Sequence, residues 1–208
     1  MAYDALIFDL GGVIVPHDNA VLRDRLASRC SAPHAADWLI DAEGDERIGT
    51  GELTIPELHR RLVEEIGYGG DWATFANDWC SHLKLDHAML DLVERLAAAN
   101  RVMLFSNTNQ AHWDSQVAAS DGRLARLEAY LSHEIGAVKP HVAAFELVAR
   151  LAAVEPGRCL FIDDRLDNVE AAREAGFHAE LFVGQAALEA RLRAAAVEWP
   201  QPIPMESA

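Results

Sequence analysis

The sequence predicts an α/β fold in which a parallel sheet is interrupted, after its first strand, by an all-helical module. Three observations carry that expectation. Ala5-Leu6-Ile7-Phe8 is an apolar run too short for a helix, and it meets Asp9-Leu10-Gly11-Gly12 at once, the pattern of a buried parallel strand aimed into a loop. Two later runs repeat it: Arg101–Phe105 leads into Ser106-Asn107-Thr108, and Cys159–Ile162 leads into Asp163-Asp164. Between the first run and the second, strand-like stretches vanish and apolar residues recur at helical spacing.

The chain of 208 residues, half of them apolar, suffices for one compact domain with a modest insertion, burying roughly 70% of its unfolded surface. A net charge of -15 argues against nucleic acid and anionic membranes as partners, because both would repel this surface. An anionic ligand would need local positive charge or a metal to reverse the field. Cys30, Cys80 and Cys159 are odd in number and widely spaced, and read as small core residues of a reduced, cytoplasmic protein. No run approaches the length needed to span a bilayer, and no basic stretch precedes the first apolar run.

Residues 16–87 form the expected helical module. Val21, Leu22 and Leu26 mark one helix, Trp38, Leu39 and Ile40 a second, and Leu58, Leu62 and Ile66 a third, opened by Thr54-Ile55-Pro56-Glu57 as a capped start. Trp72, Phe75, Ala76 and Trp79 mark a fourth, its aromatic residues reading as the core of a small bundle. Gly44–Gly51 reads as a loop in which Arg47 is a candidate substrate contact. The module is taken as a lid over a core built from residues 1–15 and 88–208.

In that core, Met89, Leu92, Val93 and Leu96 give a helix leading into the strand at Val102. Ala111–Ala119 and Leu124–Tyr130 read as short helices or turns. A helix carrying Val142, Phe145, Val148 and Leu151 follows Gly136–His141, another starts near Asn168 and stops at Gly176, and a strand over Phe177–Val183 precedes a last helix over Ala186–Val197. The proline-rich Trp199–Pro204 tail is incompatible with regular structure.

Asp, Ser and Asn after a strand serve as helix N-caps as readily as they do chemistry. A cap needs one such residue, however, and Asp163-Asp164 supplies two adjacent carboxylates, which suggests a cation. Ligands of open parallel sheets gather at this edge, where strand ends leave a crevice.

Asp9-Leu10-Gly11-Gly12-Val13, Ser106-Asn107-Thr108, Lys139-Pro140, and Asp163-Asp164 with Asn168, in that order, resemble the four motifs of the haloacid dehalogenase superfamily. The resemblance spans the whole core, and the helical insert after the first motif is similar to that superfamily's first class of cap. It implies a three-layer α/β/α core with a central parallel, Rossmann-like sheet, a Mg2+ ion, and a phosphorylated aspartate in most members. A small phosphorylated metabolite, a sugar phosphate among the candidates, is the implied substrate.

The chemistry of such an ester defines a role for each residue. Asp9 would be the nucleophile, dividing one hard phosphoryl transfer into two. Mg2+ would be held by Asp9, Asp164 and a backbone carbonyl near Gly11, with Asp163 acting through water. Ser106 and the Asn107 amide would hydrogen-bond the transferred group at a helix start. Lys139 adds a point charge, and Asn168 fixes the acidic loop. One position departs from the pattern: phosphatases of the superfamily usually carry a second Asp two residues after the nucleophile, to protonate the leaving oxygen, and here that residue is Gly11. His17, Asp18 or a lid residue is the expected substitute. Two alternatives stay open, a carbon-halogen hydrolase, whose halide leaves without a proton, and a noncatalytic binding protein.

Overall fold

The computed structural model describes residues 3–199 apart from Gly44 and the side chain of Glu43. Strands β1 Ala5–Phe8, β2 Val102–Ser106, β3 Glu128–Leu131, β4 Cys159–Asp163 and β5 His178–Leu181 form one parallel sheet in the order β3-β2-β1-β4-β5. Phe8 lies opposite Leu104 on one side and Ile162 on the other. The residues that follow β1, β2 and β4 therefore emerge side by side at the carboxyl edge.

Side chains alternate across a strand, and the two faces separate cleanly. Leu6, Phe8, Val102, Leu104, Leu160 and Ile162 enter one buried cluster, while Ala5, Ile7, Met103, Phe105, Cys159 and Phe161 enter another. Helices α6 His87–Ala97 and α11 Gln185–Ala194 cover the first face, through residues such as Leu92, Val93, Leu188 and Leu192. Helices α9 Val142–Ala152 and α10 Leu166–Glu174 cover the second, through Phe145, Val148, Val169 and Ala172. Both faces being covered, the central strands read as unbroken apolar runs, and the result is the expected three-layer α/β/α sandwich.

Between β1 and α6 lie α1 Asn19–Ala27, α2 Ala35–Glu43, α3 Glu46–Gly49, α4 Ile55–Ile66 and α5 Trp72–Cys80. A third cluster draws its buried residues from Leu22 to Trp79 alone, so these helices pack chiefly on one another. Thr54 caps α4 through Glu57 N with Pro56 in the first turn, as the sequence predicts, and Gly67 ends it in the left-handed region. Phe75 and Trp79 are buried in this cluster, whereas Trp72 is exposed.

Two readings need correction. Leu124–Arg126 is a 3-10 turn, but Glu128–Leu131 is the edge strand β3, not a helix or turn. Only partly buried at the sheet edge, it offers no apolar run to recognise, and its Glu128 pairs with Arg101 at 2.6 Å. The stretch read as a loop around Arg47 contains α3, one turn capped by Asp45. Of the proline-rich tail, everything from Pro200 onward lies outside the described residues.

Candidate active site

The backbone N–H of Asp9 donates to the Ile162 carbonyl at 2.8 Å, carrying the β1–β4 ladder one residue beyond the strand before the chain turns. The turn is tight: Ile14 N and Val15 N both donate to the Leu10 carbonyl, at 2.9 and 2.7 Å. At its centre Gly12 has φ of +68°, and a Cβ there would stand 2.0 Å from Asp164 Oδ2. Glycine alone, having no Cβ, lets the loop at position 12 come this close to Asp164.

Lys139 binds these groups together. It is 3% exposed, despite lying in a loop before a proline. Its ammonium has three protons and three acceptors: Asp9 Oδ1 at 2.8 Å, Asp163 Oδ2 at 2.7 Å and the Phe105 carbonyl at 3.0 Å. The rings of Phe105 and Phe161 flank it at 5.3 Å each, which favours a cation away from water. Asn107 holds the backbone that carries it, donating from Nδ2 to the Lys139 carbonyl at 2.7 Å and accepting from Lys139 N at 2.9 Å. The Asn107 side chain is thus a clamp, where the sequence led us to expect only its amide to matter.

Asp9 Oδ1 also accepts from Leu10 N at 2.7 Å. Oδ1 is thus taken by two donors, while Oδ2 has no hydrogen-bond partner among the described residues. Asp163 is fully buried and saturated, by Lys139, by Asn168 Nδ2 at 2.9 and 3.0 Å, and by Arg165 N at 2.9 Å. Asp164, beside it, is exposed and faces the Gly12 turn. Asn168 is thus one of the donors that hold the Asp163 carboxylate in place.

The charges do not balance. Asp9, Asp163 and Asp164 each bring a carboxylate oxygen within 4.8 Å of the others, against the single ammonium of Lys139. Burial pushes the Asp9 carboxyl up to about 7, Lys139 opposing and Asp163 adding to the rise, and burial next to Asp163 likewise raises Asp164. A surplus of crowded oxygen ligands that resist ionising is the donor set of a hard divalent cation, so the residues present fit Mg2+.

A cavity of about 310 Å³ opens over this edge, with Gly11, Ser106, Asn107 and Lys139 on its floor and Asp45, Glu46 and Ile48 of the helical segment on its roof. His17 lies on its wall beside Gly11. Asp18 is spent elsewhere, its side chain accepting from Ala20 N as the N-cap of α1. Arg47 is not brought to the cavity either: it turns back on Asp45, Nη2 to Oδ2 at 2.6 Å, because the cap residue two positions earlier is the nearest anion. Sequence reasoning missed the inner wall, where His82, Asn109, His112 and Gln116 gather. Isolated polar residues on helices carry no motif, and their convergence exists only in three dimensions. It also missed Ser132, buried, whose hydroxyl accepts from Thr108 N and donates to the Thr108 carbonyl at 3.0 and 3.1 Å, fixing the loop after β2.

Comparison with known proteins agrees with this geometry. The family model for haloacid dehalogenase-like hydrolases matches residues 3–176. D-ribitol-5-phosphate phosphatase of Bacteroides thetaiotaomicron is 27% identical over 181 residues, covering 83% of this chain and 88% of that protein. A haloacid dehalogenase family enzyme of the same organism, solved in complex with magnesium and inorganic phosphate, superposes with a TM-score of 0.75 at 24% identity, over 88% of this chain and 96% of that one. L-2-haloacid dehalogenase of Xanthobacter autotrophicus shares the fold at a TM-score of 0.59 and 18% identity, over 95% and 85% of the two chains. The four motifs, the sheet order that aligns them and the match across the core together make this chain a member of the haloacid dehalogenase-like hydrolases.

Proposed function

We propose that the chain is a Mg2+-dependent phosphatase that hydrolyses the phosphate monoester of a small, uncharged polyol or sugar through a phosphoryl group carried on Asp9. The observation that carries the reading is the Asp9 carboxylate itself, held at Oδ1 by Lys139 and Leu10 N, its Oδ2 without a partner among the described residues, and with an oxygen within 4.8 Å of Asp164. Residues 16–87 serve as the cap that closes the cavity, their roof residues choosing the substrate.

Asp9, Asp164 and the Gly11 carbonyl would hold the metal, while Asp163, its oxygens taken by Lys139, Asn168 and Arg165 N, adds its charge from behind them instead of acting through water. Bound there, the ion supplies the positive charge that lets an anionic nucleophile approach an anionic phosphoryl group. Asp9 Oδ2 attacks phosphorus and the ester oxygen departs, leaving an acyl phosphate that water then cleaves. The Ser106 hydroxyl and the Asn107 amide hold the phosphoryl oxygens. Lys139 orients Asp9 and adds its charge through a dry, low-dielectric wall.

The leaving group is read from the inner wall. Among the described residues that line the cavity, Lys139 is the single lysine or arginine, and it lies at the phosphoryl end. A second anionic group on the substrate would face Asp45 and Glu46. Hydroxyls, by contrast, would meet Asn109, His112 and Gln116, and both Gln116 Oε1 and His82 Nδ1 are buried without a partner. The relative's substrate, D-ribitol 5-phosphate, is of this kind. The three free thiols fit a reducing compartment such as the cytoplasm.

Phosphate release from a panel of sugar, polyol and carboxylate-bearing phosphates, with Mg2+ and with chelator, tests the reading. Turnover of neutral polyol phosphates that chelator abolishes is expected. Turnover of carboxylate-bearing esters alone would contradict the substrate class. Gly11 favours a second reading, carbon-halogen hydrolysis, because halide needs no proton; halide release from a 2-haloacid that persists in chelator would establish it instead.

A further inference from the structure

An alkoxide leaves phosphorus readily only if it is protonated as the bond breaks, and Gly11 has no group to do so. The structure shows what stands in its place. A Cβ built on Gly11 would meet one residue within 4 Å, His17, with Cε1 at 3.5 Å and Nδ1 at 3.7 Å. The imidazole thus occupies the volume into which a side chain at position 11 would extend, in the same cavity that Ser106 and Lys139 line.

His17 is held there. Its backbone bridges to Leu83, and Lys84 N donates to the Pro16 carbonyl at 3.0 Å, so the segment is fastened where the helical module leaves the core. The ring packs edge-on against His82 at 6.3 Å between centroids, yet among the described residues neither ring nitrogen is engaged in a hydrogen bond. The residue is exposed, so its proton can be renewed from solvent.

Among the described residues, the other acidic and imidazole groups around the cavity are engaged elsewhere or unsuited. Asp18 caps α1, Asp45 caps α3 and pairs with Arg47, and Glu46 faces His141 at 3.1 Å. Burial pushes His82 down to about 4 and His112 to about 3, leaving both without a proton to give near neutrality.

We propose that His17 is the proton-transfer residue of this active site, supplying from the start of the helical module what Gly11 cannot. The inference rests on the phosphatase reading above. In the first step Asp9 Oδ2 bonds to phosphorus, the bond from phosphorus to the ester oxygen breaks, and the imidazolium gives its proton to that oxygen, releasing a neutral alcohol. In the second, water bonds to phosphorus, the bond from phosphorus to Asp9 breaks, and the neutral imidazole takes the water's proton, which restores the starting state.

The test compares leaving groups in the full-length protein with Mg2+, using a polyol phosphate and 2,4-dinitrophenyl phosphate, whose phenolate leaves unprotonated. His17→Ala should lose roughly 10²- to 10⁴-fold on the polyol ester. On the aryl ester it should keep a rapid burst of about one phenolate per enzyme, followed by slow turnover, because the first step needs no proton and the second does. Gly11→Asp in the His17→Ala background should recover at least about tenfold on the polyol ester, since a Cβ at position 11 meets no contact closer than 3.5 Å. Equal losses on polyol turnover and on the aryl burst overturn the proposal, as does a double variant no faster than His17→Ala. A wild-type protein that releases phosphate from neither ester ends the phosphatase reading itself, a result visible before any variant is made.

Discussion

Two buried aspartates sit in this molecule in opposite circumstances. Asp78, on α5 in the helical segment, is 2% exposed and accepts from Arg29 Nε at 2.6 Å and from the Tyr68 hydroxyl at 2.9 Å, with Arg25 at 3.6 Å. Asp9 is 6% exposed and shares one ammonium with Asp163, while Asp164 has no ion pair among the described residues. The first cluster has more positive charge than negative and is closed. The second is short of positive charge and opens onto a cavity. Burial of a carboxylate therefore does not mark a site; a deficit of countercharge beside a space for ligand does.

The largest effect that separates the two clusters is expected from Asp9→Asn, which should lower phosphate release by about 10³-fold or more and leave the thermal midpoint unchanged or raised, since it removes a surplus charge. A comparable loss in Asp78→Asn would erase the contrast. Lys139→Met comes next, and should both silence turnover and destabilise the fold by about 3–5 kcal/mol by chemical denaturation, because two buried carboxylates lose their shared cation. Asp78→Asn should cost about 1–3 kcal/mol with kcat near wild type, Arg25 and Arg29 being half-exposed and able to turn to water.

Smaller effects come with pH. His82 and His112 are depressed to about 4 and 3 by burial, then by neighbouring imidazoles, so between their unfolded value near 6.5 and those pH values the unfolded chain binds protons that the folded chain does not. Stability must fall as pH drops through that window, and His112→Gln should flatten the fall in thermal midpoint. Asp9 acts in the opposite sense. Its carboxyl, raised to about 7, binds a proton in the folded state that the unfolded chain has released, so rising pH costs stability between about 4 and 7. A magnesium ion held by that carboxylate would need it ionised, and should raise the thermal midpoint more at pH 8 than at pH 5.

Much of this arrangement was legible in the chain. Buried central strands must be continuously apolar, so β1, β2 and β4 stood out, and the polar residues at their ends could be placed on one edge before any coordinates. The edge strand β3 escaped because it is short, only partly buried and opens on a charged residue, and α3 because one helical turn has no period to read. Asp9, Ser106, Lys139 and Asp164 were readable because each follows a strand or a turn signal. The inner wall of His82, Asn109, His112 and Gln116 was not, because α5, the loop after it and α7 (Gln110–Ala119) meet only when the helical segment packs on the core. The distance from His17 to Gly11, six residues apart in the chain, is likewise a property of the folded turn.

The account stands on Asp9 accepting the phosphoryl group. Wild-type protein mixed with 2,4-dinitrophenyl phosphate and Mg2+, quenched in acid within a single turnover and digested, should yield the peptide containing Asp9 heavier by one phosphoryl group, and Asp9→Asn should yield none. Phosphate released at the wild-type rate while that peptide never carries the added mass would contradict it.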